Sequence, residues 1–297
     1  MMPTIVEHLS AGTGRLMLCL VLLVGAGCEV SVDPFIESGR PFTVYGYLDT
    51  ATDVQVIRVI PLRQRLDEAA DTLDARLTIT ALEQGVQYVG RDSLVHFRDG
   101  STGHVFVVPF RPIPGWTYRL EVTRSDGNAS VAETTVPLAT QAHVGSPVGS
   151  QRIVQEVRWE DIDFPPFRVE VWYRFMNARP FDPFLEAVVT YPDVGRQDGD
   201  TWVVQVTPSQ DRDDVLEALG VSEDAALVLL GMGMRLTMSD EQWRPPGGVF
   251  DPELLVQPGI FSNVENGFGF FGSVNQYVVE WVLDREVVER LGYQYPE

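Results

Sequence analysis

The histidine, serine and glycine residues of this chain form none of the short motifs that mark common catalytic sites. Three histidines, His96, His104 and His143, lie outside the spacings typical of zinc ligands. His96 and His104 flank an Asp99-Gly100 turn and could meet across a hairpin. No serine lies in a Gly-x-Ser-x-Gly sequence, and no glycine-rich phosphate loop occurs. We therefore predict no catalytic residue, no metal ion and no cofactor, and a hydrolase is the weakest interpretation.

Two groups of acidic residues are the next candidates for chemistry. The loop 193–200 carries aspartates and glycines that could bind calcium, but it lacks the register of an EF-hand. Glu160, Asp161 and Asp163 could supply paired carboxylates for glycoside hydrolysis if a cleft held them at set distances. Because Asp and Glu number 42 against 22 basic residues, we interpret both groups as parts of a solvated acidic surface.

Aromatic residues are concentrated between Trp159 and Phe184, where prolines repeatedly interrupt the chain. Exposed rings beside prolines could form a stacking platform for sugars or peptides. On this basis Trp159, Trp172 and Tyr173 are candidate ligand-binding residues. If the same rings are buried, they are simply the core of a domain, and the sequence favours that alternative.

The most specific motif of the chain surrounds Cys28. Residues 16–24 form a short apolar run, and a Gly-Ala-Gly sequence then leads directly to the cysteine. Such a run is too short to cross a bilayer, which needs about 20 apolar residues, but it suits a signal peptide that is cut after small residues. The arrangement resembles the precursors of bacterial lipoproteins. We therefore predict a signal peptide over residues 1–27, lipid on Cys28 and a tether over residues 28–40.

Two alternatives to lipidation remain open. A plain secretory signal, or a wrongly assigned start site ahead of Met17, would leave Cys28 an ordinary thiol. Cys19 would leave with the signal peptide, so the mature chain would carry one cysteine and could not form an internal disulfide.

Composition limits the partners and the class of the protein. The formal net charge is −20, and all 22 basic residues are arginine. Such a field repels nucleic acid, so we predict no nucleic-acid partner. A hydrophobic content of 44% excludes wholesale disorder. The chain after residue 27 is long enough for one large or two ordinary domains.

Alternating apolar residues predict a mainly β protein. Short strands separated by turn signals, including an Asp126-Gly127 hairpin turn, are typical of an immunoglobulin-like sandwich. A small and polar stretch suggests a domain boundary near residue 145. We therefore predict an N-terminal immunoglobulin-like β-sandwich over residues 41–145 and a β-rich second domain with a few short helices over residues 146–297.

Helix signals occur in two places of the second half. Ser209–Gly220 has acidic residues in its first turn and a terminal glycine, and Asp284–Leu291 predicts a second short helix. Ser222–Met232 could be a helix or a buried strand, since periodicity alone does not decide.

Three segments resemble a family of uncharacterised surface lipoproteins from Gram-negative bacteria, known only as a domain of unknown function. They are Phe42–Leu48, Gly115–Val122 and Ser262–Gly272. Members are often encoded beside TonB-dependent outer-membrane receptors, so the resemblance implies an accessory role in uptake or at the cell surface. It assigns no site, because the family has no established catalytic residue.

The segment Asn263–Gly272 also carries a physical prediction of its own. Glycine alternates with phenylalanine there, which is typical of a strand where another chain segment packs against bare backbone. A ligand-contacting loop is the alternative.

Together these observations predict a lipid-anchored, non-catalytic protein of the cell envelope. We expect it on the surface of the outer membrane, as an accessory or binding component of an outer-membrane transporter. A carbohydrate- or peptide-binding surface module is the second interpretation.

Replacing Cys28 tests the predicted anchor. The purified protein should begin at Cys28 and carry lipid there, and Cys28→Ser should abolish the modification because both the thiol and the cleavage motif are altered. Intact-mass spectrometry of membrane-derived protein measures this. Cys19→Ser is the matched control and should leave the lipid in place, whereas an unmodified Cys28 in the mature protein would contradict the prediction.

Overall fold

The computed structural model describes residues 40–62, 72–96, 102–162, 165–176, 184–241 and 262–297. They fall within one compact unit that extends from Gly39 to Glu297. Among the described residues, no helix combines the length and the apolar character needed to cross a bilayer. Cys28 and the predicted signal peptide lie outside the described residues.

Strands in the N-terminal half follow the alternating apolar pattern of the sequence. In the strand Arg76–Ala81, Leu77, Ile79 and Ala81 are buried, whereas the residues between them are more exposed. This alternation turns one side of the strand toward a core. The strands of this half are β1 (Phe42–Asp49), β2 (Val54–Pro61), β3 (Arg76–Ala81), β4 (Val86–Val89), β5 (Arg91–His96), β6 (Thr102–Pro109), β7 (Thr117–Thr123), β8 (Ala129–Thr135) and β9 (Ala142–Val144).

The C-terminal half contributes longer strands and the two helices of the described residues. The strands are β10 (Gln155–Glu160), β11 (Arg168–Met176), β12 (Phe184–Tyr191), β13 (Arg196–Asp198), β14 (Thr201–Val206), β15 (Leu229–Ser239) and β16 (Gly267–Trp281). The helices are α1 (Arg212–Leu219) and α2 (Arg285–Arg290).

The described strands form three sheets, which confirms the prediction of a mainly β fold. An eight-stranded sheet has the order β12-β11-β15-β16-β1-β2-β6-β5. The two four-stranded sheets have the orders β4-β3-β7-β8 and β13-β14-β10-β9. Within the large sheet, β1 and β16 run parallel, and the other neighbouring strands are antiparallel.

Two hydrophobic cores lie on one side of the large sheet. The first joins β1, β2 and β6 to the sheet of β3, β7 and β8. The second joins β11, β15 and β16 to β10 and β14. Phe271 of β16 belongs to the first core, and Tyr277 of the same strand belongs to the second. These two side chains point to the same side of the sheet, because residues an even number of positions apart on a strand share a face. Both small sheets therefore cover the same face, which we call the inner face, and the opposite one is the outer face.

Strand β16 also holds the segment that connects the two halves of the chain. Three of its inward side chains donate hydrogen bonds to carbonyls of residues 135–138, which we call the connector. Ser273 Oγ reaches the Thr135 carbonyl at 3.1 Å, and Asn275 Nδ2 reaches the Pro137 carbonyl at 2.9 Å. The Tyr277 hydroxyl donates to the Leu138 carbonyl. These bonds satisfy backbone carbonyls of the connector and hold it against the inner face of β16.

The predicted domain boundary near residue 145 lies shortly after this connector. Buried residues up to Val136 belong to the first core and those from Ile153 onward to the second, except that Val264 and Phe271 join the first core. Strand β9 lies before residue 145 but pairs with β10 and packs against the second core, so the second half of the structure begins before the predicted boundary. The large sheet nevertheless runs through both halves, because β16 pairs with β1.

The glycine-rich segment at the start of β16 packs against bare backbone, as the sequence predicted. A Cβ atom on Gly269 would lie 2.0 Å from the carbonyl oxygen of Val44, and Gly269 has φ +102°. The Asn263 side chain stabilises the backbone of the neighbouring Phe271. Its amide oxygen accepts the Phe271 N–H at 2.9 Å, and its amide nitrogen donates to the Phe271 carbonyl at 2.6 Å. Close approach of β1 therefore explains the glycines.

The helix expected over Ser209–Gly220 is α1, and it ends at Gly220 in the left-handed conformation. The ambiguous segment Ser222–Met232 enters β15 at Leu229, so its last residues form a strand. Strands β5, β9 and β13 had no counterpart among the sequence predictions. They are short or polar, and β9 and β13 are three residues each.

Substitution at Gly269 tests the close packing of β1 on β16. Gly269→Ala should lower the free energy of unfolding by about 3 kcal/mol or more, because it combines a positive φ with a backbone clash. Gly127→Ala is the matched control: its φ is +88°, but nothing lies within 4 Å of the added atom. It should cost about 1 kcal/mol. Urea unfolding measures both, and equal losses would contradict the proposed clash.

Candidate functional site

The three aromatic residues predicted as ligand-binding candidates are all buried. Trp159 lies on β10, and the centre of its ring is 6.0 Å from that of Tyr277. Tyr173 lies on β11 and faces the same core. Trp159 and Tyr173 are therefore core residues of the C-terminal half, and the structure separates them from Trp172.

The hydroxyl of Tyr173 takes part in a buried polar cluster at the start of α1. Tyr173 donates to Oδ2 of Asp211, and Tyr191 donates to the same oxygen at 2.5 Å. The Tyr191 hydroxyl also accepts the backbone N–H of Thr207 at 3.0 Å. These bonds tie β11 and β12 to the residue that precedes α1, so the role of Tyr173 is structural.

Burial governs the protonation of this cluster. It raises the pKa of the Asp211 carboxyl above 3.8, although the hydroxyls of Tyr173 and Tyr191 oppose the rise by bonding to the carboxylate. Burial, with the Asp211 charge beside it, also raises the pKa of both tyrosines above 10. The two hydroxyls are therefore neutral donors at physiological pH.

Trp172 points away from this core, because consecutive residues of a strand face opposite sides of a sheet. It lies on the outer face, across from Gly233 of β15. A Cβ atom on Gly233 would be 2.0 Å from the Trp172 ring, so the indole rests directly on glycine backbone. A side chain at position 233 would displace the ring.

A cleft of about 290 Å³ opens beside Trp172 on the outer face, and we call it the outer-face cleft. Four strands or their ends contribute to it. The residues that matter here are Trp172 and Arg174 of β11, Phe184 of β12, Gly231 of β15, Glu280 of β16 and Val282 just beyond β16. Because Gly231 has no side chain, it forms an open floor between the walls.

Arg174 lies between the two aromatic walls of the cleft. Its guanidinium carbon is 4.6 Å from the centre of the Trp172 ring and 5.8 Å from that of Phe184. Both distances are within the range of a cation–π interaction. The guanidinium covers the Trp172 ring, which is 5% exposed, whereas Phe184 is 49% exposed. Phe184 therefore supplies the accessible aromatic surface.

Two glutamates place acceptors around the same guanidinium. Arg174 Nη2 lies 3.5 Å from Oε2 of Glu186 and 3.9 Å from Oε1 of Glu280. Both glutamate side chains are solvent-exposed, at 44% and 58%. Ion pairs of this length and exposure are weak. The cleft therefore presents donors and acceptors together, beside an exposed ring.

The structure describes two of the three acidic residues considered as paired carboxylates, Glu160 and Asp161. Glu160 Oε1 lies 3.1 Å from Nε2 of His143. Asp161 has a left-handed backbone with φ 51° and lines a second cavity. Asp163 lies outside the described residues. In the loop 193–200, Asp198 pairs with Arg158 at 3.5 Å.

The second cavity has a volume of about 410 Å³ and lies beside the connector. Its lining includes the apolar side chains Leu138, Ile162 and Met238 and the carboxyl groups of Asp161, Asp240 and Glu241. The buried Asp240 accepts a hydrogen bond from Thr134. Asp240 is thus part of the polar contacts that join the two halves of the molecule.

The two histidines of the predicted hairpin lie on adjacent strands. His96 pairs with Thr102, and His104 pairs with Leu94, so the histidines are diagonal neighbours. His104 instead binds Asp92, with its Nδ1 2.9 Å from the Asp92 carboxylate. This pair lies on β5 and β6 at one edge of the large sheet, whereas the outer-face cleft lies near the opposite edge, on β11 and β12.

Most residues of the outer-face cleft were not predicted from the sequence. Arg174 follows Trp172 by two residues, a spacing that places both on one face of a strand, so this signal was present. Gly231 and Gly233 alternate with methionine, so the sequence also indicates that one face of β15 has no side chains at these two positions. Glu280 carried no signal, because its position beside Arg174 depends on the pairing of β15 with β16.

Comparison with known proteins gives one match. The model of a family described as a domain of unknown function (DUF4249) matches residues 31–174. This supports the expectation of an uncharacterised family, and the matched region includes Trp159, Trp172, Tyr173 and Arg174. No curated protein matches the chain.

The ionisation of Asp211 gives a test of the buried cluster. Since its folded pKa lies above 3.8, its contribution to stability is greatest below that pH and declines as pH rises through the raised value. Asp211→Asn cannot ionise. We therefore compare the unfolding free energy of the parent with that of the variant. The parent value minus the variant value should fall as pH rises from 3.8 through the raised pKa of Asp211. The fall should be up to about 1.4 kcal/mol for each unit by which that pKa is raised.

Urea unfolding between about pH 3 and pH 7 measures this difference. Tyr173→Phe provides the second arm, because it removes one hydroxyl that stabilises the carboxylate. In the Tyr173→Phe background the fall should extend to higher pH. A difference that stays constant, or rises with pH, would contradict the assignment.

Proposed function

We propose that this protein is a non-catalytic binding component of the cell envelope. In this proposal lipid on Cys28 anchors it to the outer membrane, where it is exposed at the cell surface. It acts as an accessory to an outer-membrane transporter. The observation that carries the proposal is the outer-face cleft, which gathers an aromatic surface, a guanidinium and two carboxylates in the manner of a ligand-binding site.

The course of β16 supports a role in binding at a distance from the membrane. The first strand begins at Phe42, next to Gly267 at the start of β16. The cleft lies at the other end, beside Glu280 and Trp281. Since β16 has 15 residues and a strand rises about 3.3 Å per residue, about 45 Å separates the two ends. A tether before Phe42 would leave the cleft at the far end.

The character of the cleft groups argues for binding rather than turnover. Arg174 is held by two rings, and its glutamate neighbours are well exposed. Such groups orient a ligand through hydrogen bonds and stacking.

A carbohydrate- or peptide-binding surface module is the second candidate. It shares the outer-face cleft with the first proposal and differs from it in needing no transporter. The half-exposed Phe184 favours it, because an exposed ring beside polar groups suits sugars and peptide side chains alike.

Co-purification tests the accessory role. The protein, carrying a C-terminal affinity tag in its own bacterium, should retain an outer-membrane receptor when it is purified in mild detergent. Cys28→Ser is the control, and it should recover less receptor because the protein loses its place at the membrane. Quantitative mass spectrometry measures the recovery. Purification without any receptor, together with unchanged growth of a deletion strain on every nutrient tried, would overturn the proposal.

A further inference from the structure

We infer that the outer-face cleft binds one uncharged sugar ring of a glycan. The inference rests on the proposed function as a binding protein and names the ligand class of its site. It follows from the charges of the cleft, from its accessible surfaces and from the shape of its floor.

Charges of both signs select against a charged ligand. An anion attracted to Arg174 would meet the carboxylates of Glu186 and Glu280, which lie 3.5 and 3.9 Å from the guanidinium. A cation attracted to the glutamates would meet Arg174. A neutral ring with several hydroxyls avoids both conflicts, because each hydroxyl can accept from the guanidinium or donate to a carboxylate.

The accessible ring of the cleft suits the apolar side of a sugar. Phe184 is 49% exposed, whereas Trp172 is covered by Arg174. A ligand can therefore stack on Phe184 through its C–H groups while its hydroxyls face Arg174 and Glu280. Trp172 is a positioning residue, since its cation–π contact holds the guanidinium in place.

The floor of the cleft leaves room for one ring. At Gly231 an added Cβ would lie close to the Trp281 carbonyl oxygen, at 3.3 Å, and would touch the edge of Val282, at 4.0 Å. Gly231 therefore contributes bare backbone to the floor, closely bordered by the end of β16. A volume of about 290 Å³ is at the lower end of the range for ligand pockets, which fits a single ring better than a long chain.

Binding measurements on an array of neutral, acidic and amine-bearing oligosaccharides test the inference, with a peptide library as a second probe. The purified full chain should bind neutral glycans. Phe184→Ser should weaken this binding about tenfold by removing the stacking surface, and Gly231→Leu should do so by filling the floor. Val278→Ser is the matched control. Val278 is 52% exposed on the same face and lies outside the cleft, so Kd should change less than about twofold.

Failure to bind any neutral glycan would overturn the inference, as would binding confined to charged glycans or to peptides. Unchanged binding by Phe184→Ser would also overturn it, and this variant decides the matter if Gly231→Leu does not fold. Recovery of an outer-membrane receptor is a separate readout. Retained receptor without glycan binding overturns this inference alone. Purification without any receptor, together with unchanged growth of the deletion strain, overturns the proposed function.

Discussion

The shared strand β16 is the constraint on which the rest of the structure depends. Its first half pairs with β1 and its second half with β15, so one strand of the large sheet contributes to both cores. Its inner face changes character along its length, from Phe271 in one core, through Ser273 and Asn275 at the connector, to Tyr277 in the other core. Loss of its alignment would therefore disturb two cores and the polar contacts between them at once.

The same alignment creates the outer-face cleft. Because β15 and β11 are registered against β16, the glycines of β15 lie between Trp172 on one side and Glu280 on the other. Gly233 has no side chain, and the Trp172 ring packs directly on its backbone. The inner face of this sheet is filled by a well-packed core, whereas its outer face retains a space bordered by polar groups. Packing on one side thus positions a cleft on the other.

Much of the secondary structure could be predicted from local patterns. The alternation in β3 and β7, the hairpin turn at Asp126-Gly127 and the glycine that ends α1 are properties of short segments, and the structure has them where the sequence places them. Strands such as β5 and β13 escaped prediction, because they are polar and are stabilised by their neighbours rather than by their own pattern. Local signals do not describe elements whose stability comes from pairing.

By itself, the sequence determined the class of fold, the strands with strong alternation, the acidic surface and the expectation of a lipid anchor at Cys28. It also determined that Trp172 and Tyr173 must face opposite sides of one strand, since that follows from the geometry of any strand. Only the tertiary structure decided which of them lies in the core and which borders a cleft. The choice depends on which face of the large sheet β10 and β14 cover, and such packing between distant segments leaves no trace in a local pattern.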